Sequence, residues 1–244
     1  MKRLLLFIGL LLTFGNLAAQ KKVTKNKNAS GINEVYIHAK FAKDIKIENW
    51  SKNEISVQAT VNINNNKDND FFSLKEDQTG TTYTVKSDYG DLFKKKKKHT
   101  VVYNAKECEN CNHCSYHSDL KINYIIYAPK NMQLKIKSIS GDVNTLAYDG
   151  RLSLDLVSGN ITIKKHYSKS MNLKTVSGDI DVAISDAKFK AQTLTGTVYS
   201  NLDIDFDKNR SKSYGNQKIY GTVKNGKASL KLKTVSGDIF LRKI

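Results

Sequence analysis

The chain is 244 residues long and carries 40 Lys and Arg against 23 Asp and Glu, a formal net charge of +17. Such a charge favours anionic partners, namely phospholipid headgroups, acidic glycans or a protein of opposite charge. Nucleic acid is excluded as the expected partner, because no helix or sheet motif of a reader accompanies the basicity. A helical fold is excluded as well: proline is single, Tyr, Thr, Ile and Val are plentiful, and no useful run of helical apolar period follows the first 19 residues.

The chain opens on Met1-Lys2-Arg3, an apolar run from Leu4 to Leu12, and the small pair Ala18-Ala19. These are the basic, apolar and cleavage regions of a signal peptide over residues 1–19. The apolar run is too short to span a bilayer. The expectation is an exported protein, periplasmic, outer-surface or secreted, with no transmembrane span in the mature chain. Residues 20–32 are polar and basic and read as a disordered leader. A single β-repeat domain is expected over residues 33–244.

Strand signals begin at Val35 and Ile37, continue through Ile45 and Ile47, and alternate strictly from Ile55 to Ile63. Asn64 to Asp70 is a loop. Phe71–Leu74 and Thr81–Lys86, joined across Gln78-Thr79-Gly80, read as a hairpin. Residues 89–118 form a foreign insertion with five consecutive lysines, Lys94 to Lys98, and all three cysteines. The lysines are a solvated block that could attract anionic lipid. Cys108, Cys111 and Cys114, with His113 and His117, offer soft and borderline ligands for Zn²⁺ or copper, and His99 is a further candidate. The alternative is a disulfide between two of the thiols with the third left over. Leu120–Tyr127 resumes the strand pattern and runs into the turn Ala128-Pro129-Lys130-Asn131.

From Met132 onward a repeat takes over. Val235-Ser236-Gly237-Asp238-Ile239 recurs around Gly141, Gly159 and Gly178, with weaker copies around Gly196 and Gly221. The first four glycines in chain order stand 18, 19 and 18 residues apart. Apolar residues recur seven and five positions before most of these glycines, and Val or Ile always stands two after. The residue two before is also apolar, which predicts that the alternation slips and that this side chain turns inward at a bend. Each glycine is then a structural corner, with Ser or Thr before all but Gly221 and Asp, Asn or Thr after it bonding to the turn. The positions after the glycines form a polar ladder in which two neutral residues separate Asp179 from Asp238. Gly237 is the last corner in the chain and leaves the final coil without an obvious cap. A unit this short cannot bury its apolar face alone, so neighbours must stack. Regular spacing favours a single-chain β-solenoid of ~18-residue repeats, preceded by irregular strands and hairpins. An antiparallel meander is the alternative.

At these residues the sequence resembles the putative-adhesin family of bacterial exported β-strand-repeat proteins, a domain of unknown function. The repeated Val-Ser-Gly-Asp-Ile phrase, the stretch Ile45 to Val57 and the lead-in Tyr127 to Asn131 carry the resemblance, which spans roughly residues 33–244 apart from the insertion. It implies a right-handed β-helix-like fold, an envelope or surface location and no catalytic residues. No catalytic triad, paired carboxylates or phosphate-binding loop stands out beside it. The expected function is therefore a non-catalytic structural or binding module, basic on strand faces at Lys135, Lys137, Lys174, Lys190, Lys231 and Lys233. The alternative is a metal-binding or thiol-redox envelope protein working through Cys108–His117.

Overall fold

A computed structural model describes residues 20–94, 118–167, 169–206 and 217–244. Within them the chain forms β1 (Lys21–Asn28), β2 (Glu34–His38), β3 (Phe41–Trp50), β4 (Glu54–Ile63), β5 (Ser73–Thr79), β6 (Thr82–Asp88), β7 (Leu120–Pro129), β8 (Gln133–Ser138), β9 (Ser140–Thr145) and β10 (Leu152–Leu156). It continues through β11 (Ile161–Ile163), β12 (Met171–Lys174), β13 (Ile180–Ile184), β14 (Ala187–Thr193), β15 (Val198–Ser200), β16 (Asp205–Phe206), β17 (Gln217–Val223), β18 (Ala228–Lys233) and β19 (Ile239–Lys243). Period-two burial along these strands, for example Leu134 and Ile136 inward with Lys135 outward, packs two sheets face to face over one core.

Sheet A runs β1-β4-β7-β3-β9-β11-β13-β19-β15 and sheet B runs β16-β17-β14-β18-β12-β10-β8-β2-β6-β5. Each repeat contributes one strand to each sheet, and corresponding strands pair in parallel and in register: Leu134, Leu152, Met171, Leu230 and Phe189 share one inward row. Parallel pairing of this kind makes a β-solenoid and rules out a meander. Antiparallel strands close the ends, with β4 and β1 beyond β7, β5 beyond β6, and β17 and β16 beyond β14.

The coils do not stack in chain order. β2–β3 sits between β6–β7 and β8–β9, and β18–β19 sits between β12–β13 and β14–β15. Gly237 is thus not the corner of a terminal coil; its coil is clamped on both sides. The cause lies in the connections. After β13 the chain turns through Ser185-Asp186 into β14, then doubles back as β17 along the outer edge of β14. The crossover 224–227 delivers β18 to the opposite edge of β14, and the Asp186 carboxylate accepts from the Lys227 N–H at 2.9 Å to pin it.

Three further expectations are corrected. Residues 21–28 of the presumed leader are ordered as β1, in register with β4 over eight residue pairs, with Ala29 and Ile32 buried beyond it. Only Val23 in that strand is apolar; backbone pairing and ion pairs from Lys21 to Asp70 and Lys25 to Glu76 hold it instead. Gly221 lies inside β17 opposite Phe189, where a Cβ would strike the Phe189 ring, so it is a packing glycine and no corner. The insertion begins later than residue 89, because Tyr89 and Leu92 are buried and Tyr89 packs edge-on against Phe41 and Phe72.

Candidate functional site

Two surfaces concentrate repeated chemistry: the row of corners from sheet B to sheet A, and the outer face of sheet B. At the corners, the order along the stack is Gly141, Gly159, Gly178, Gly237, Gly196. Gly141, Gly159, Gly178 and Gly237 hold φ of 112°, 135°, 144° and 146°. The residue three before each glycine points inward, and at most corners it is a hydroxyl. Thr175 Oγ1 donates to the Gly159 carbonyl at 3.0 Å, Thr234 to Gly178 at 2.9 Å and Thr193 to Gly237 at 2.9 Å. These bonds satisfy carbonyls that the glycine conformation turns toward the neighbouring coil.

A second ladder runs outside. Asp142 Oδ1 accepts from the Asn160 N–H, Asn160 Oδ1 from Asp179, Asp179 Oδ1 from Asp238, and Asp238 Oδ1 from Thr197, each at 2.8 Å. The polar ladder is hydrogen-bonded, but Asp179 and Asp238 are direct neighbours, because the last coil is intercalated. Each side chain is an acceptor committed to the next backbone amide, so the row is structural chemistry.

The expectation for the residue two before each glycine is overturned. Ile139, Val157, Val176 and Leu194 are 41%, 49%, 39% and 52% exposed and form an outward aliphatic row. The alternation does not slip. The Ser or Thr three before the glycine keeps the inward place, and its recurrence at Ser138, Thr175, Thr193 and Thr234 is the sequence signal that reveals this. Thr234→Val keeps the shape but removes one buried hydroxyl donor, so stability should fall by about 1 kcal/mol. Thermal melting followed by circular dichroism reads this as a Tm roughly 2–4 °C lower; no shift would show that the hydroxyl ladder contributes nothing.

The outer face of sheet B gathers Lys135, Lys137, Lys174, Lys190, Lys231 and Lys233, all outward on β8, β12, β14 and β18. Register sets Lys86, His38 and Lys137 side by side, and Lys190 beside both Lys231 and Tyr220. The Lys190 ammonium lies 5.6 Å from the Tyr220 ring centroid. Near the lysines the acids on this face are engaged, Glu34 by Lys135 at 2.7 Å and by Gln133, and Asp155 by Lys174 at 3.1 Å; toward the sheet edges Asp88 pairs with Lys75, and Asp77 and Asp205 face outward on β5 and β16. On sheet A the outward acids are engaged as well, Asp44 by Asn144, Asp181 by Arg242 and Glu48 by Lys46.

His38 reports the field of sheet B. Its imidazole is held below the ordinary 6.5, first by burial and then by Lys40, Lys137 and Lys86. The sign follows from linkage. A neutral imidazole stabilises the fold above pH 6.5, and that contribution is lost as pH falls toward the depressed folded value. An NMR titration should place the His38 midpoint below 6.5 at low salt and nearer to it at high salt, where the lysines are screened. A midpoint indifferent to salt would mean that burial alone acts.

The candidate metal ligands Cys108, Cys111, Cys114, His113 and His117 lie outside the described residues, as do His99 and Lys95 to Lys98. Among the described residues no cluster of three or more His, Cys, Asp or Glu could hold a metal ion, and no helix is long and apolar enough to cross a membrane. Arg151, Lys188, Tyr220 and Ser229 are the members of the sheet B surface that sequence reading does not single out. Tyr220 falls only in the weak copy around Gly221, the other three belong to no motif, and all four meet only through strand pairing.

Comparison with known proteins adds the following. The family model described as Toastrack DUF4097 matches residues 108–242. No curated protein matches the chain. Among solved structures, the chain is similar to a putative cell adhesion protein from Clostridium sporogenes, at 12% identity and a TM-score of 0.47, covering 92% of this chain and 100% of that one. It is also similar to a putative adhesin from Bacteroides fragilis, at 11% identity and a TM-score of 0.29, covering 93% and 99%.

Proposed function

The chain belongs to the Toastrack DUF4097 family, and from that premise we propose that it is an exported, non-catalytic binding scaffold of adhesin type whose working surface is the outer face of sheet B. The basic and apolar opening of the sequence supports export to the envelope or cell surface. The observation that carries the binding reading is the register of sheet B. It assembles lysines from four separate strands into one flat field in which the outward Glu34 and Asp155 are already neutralised by neighbours. A field of one sign raises the local concentration of an anionic partner and speeds its encounter. The corner ladders support the same division of labour: they consume their own polar groups in holding the coils together and leave recognition to the sheet face.

The test is retention of the mature protein on envelope extracts at low and moderate salt. Lys137→Glu combined with Lys233→Glu reverses two exposed charges on sheet B and should lower retention at least tenfold. Lys22→Glu combined with Lys121→Glu, on the outer face of sheet A, should leave it unchanged. Equal retention of both double variants and the parent would remove sheet B from the function.

A further inference from the structure

Resting on that reading, the structure assigns sheet B a more specific ligand: we propose that a track along the solenoid axis binds an extended acidic polysaccharide. Three adjoining depressions make the track. The first, of about 480 Å³, includes Lys130, Lys169 and Arg151. The second, of about 330 Å³, shares Gln133 and Arg151 with the first and is floored by Ser153, Ser170, Asn172 and Ser229. The third, of about 300 Å³, shares Ser229 and Lys231 with the second and ends at Lys188, Lys190 and Tyr220. The track crosses β8, β10, β12, β18, β14 and β17, and five interstrand steps of about 4.8 Å make it roughly 24 Å long.

Its chemistry separates the candidates. Hydroxyl and amide side chains along the floor match sugar hydroxyls, while the rim cations Arg151, Lys231 and Lys188 have no ion-pair partner among the described residues. Lys169 bonds Asn131 at 2.9 Å and stands 3.9 Å from Asp149, so it is the least available of the cations. The depressions are open and continuous, unlike the enclosed pocket that buries most of a small ligand. A polymer with repeated carboxylates or sulfates engages several such weak sites at once and gains by avidity. A bilayer would call for apolar side chains to insert, and none of the large exposed apolar residues lies on β8, β10, β12, β14 or β18. Single-stranded nucleic acid would call for a series of stacking rings, and of the two aromatic residues lining the depressions, Tyr220 and Phe189, Phe189 is buried in the core and leaves Tyr220 alone on the face.

Affinity electrophoresis of the mature chain in gels containing polygalacturonate, dextran sulfate or neutral dextran tests this directly. Retardation is expected in the two acidic polymers and not in neutral dextran. Arg151→Gln combined with Lys231→Gln should weaken the apparent affinity for both acidic polymers at least tenfold, with the melting temperature held. Lys22→Gln combined with Lys121→Gln, on sheet A, should change nothing. Retardation in neutral dextran equal to that in the acidic gels, or a sheet B variant that binds like the parent, would overturn the proposal. Sheet B-dependent binding to phosphatidylserine vesicles without binding to either acidic polymer would also overturn it, while leaving the anionic-partner reading intact. Absence of any sheet B-dependent anion binding, in both these gels and the envelope extract, would overturn both.

Discussion

Gly178→Val should lower the melting temperature by roughly 10 °C or prevent folding. At a φ of 144° the backbone is in a region that a side chain strongly disfavours, and a Cβ would fall on the carbonyl of Gly159 in the adjoining coil. Backbone strain of this kind costs about 1–3 kcal/mol, and forced overpacking about 1–3 kcal/mol more. A domain of this size loses about 2–4 °C per kcal/mol. The Gly178 coil cannot shift away from Gly159, because Thr234 and the Ser177–Ser236 bridge hold it from the other side. The informative comparison is Gly80→Asn in the β5–β6 turn. Its φ is 58°, which Asn tolerates, and a Cβ there meets nothing within 4 Å. Melting followed by circular dichroism should separate the two variants clearly. A Gly178→Val protein that melts with the parent would show that the corner can open.

Deletion of residues 228–244 should abolish cooperative folding, although it removes only the end of the chain. In a solenoid stacked in chain order, loss of the last coil would expose one new edge and leave the rest standing. Here β18 lies between β12 and β14, and β19 between β13 and β15, so the deletion opens a slot inside both sheets. It removes the buried side chains of Leu230, Leu232, Ile239 and Leu241. Each contributes about 1.5–3 kcal/mol when fully buried, and their sum is comparable with the whole stability of a typical domain. Deletion of residues 20–28, which removes the edge strand β1, should instead leave a folded protein with a lower melting temperature. Urea unfolding of both truncated chains distinguishes the cases. A sharp two-state transition in the chain lacking 228–244 would mean that the slot can close.

Much of the repeat region was legible in the sequence, and the reasons are local. Inward columns such as Leu134, Leu152 and Met171 show in the spacing because side-chain direction alternates with a fixed period along a strand. The corner glycines at 141, 159, 178, 196 and 237 show because a tight turn between stacked coils admits no Cβ. Two local signals pull in other directions. The apolar residues two before the glycines look like core, yet Val157 and Leu194 are about half exposed, since the hydroxyl at the preceding position has already taken the inward place. Lys21 to Asn28 looks like solvent-borne chain because an edge strand held by backbone pairing needs almost no apolar residues.

The proposed binding surface was legible only in part. Six of its lysines could be placed on exposed strand faces from their alternation with Leu, Ile and Phe. That Lys190 and Lys231 stand side by side, or that Arg151 and Ser229 belong to one track, depends on which strands are neighbours. Period-two patterning and turn stereochemistry act over a few residues, so the chain by itself determined an all-β repeat, its inward rows and its glycine corners. Coils bearing nearly the same Val-Ser-Gly-Asp-Ile phrase are almost interchangeable as lateral partners, so their order could not be read from that phrase. The tertiary structure decided it through the antiparallel pairing of β17 on β14 and the Asp186-pinned crossover, and in doing so set both the intercalated last coil and the composition of the sheet B face.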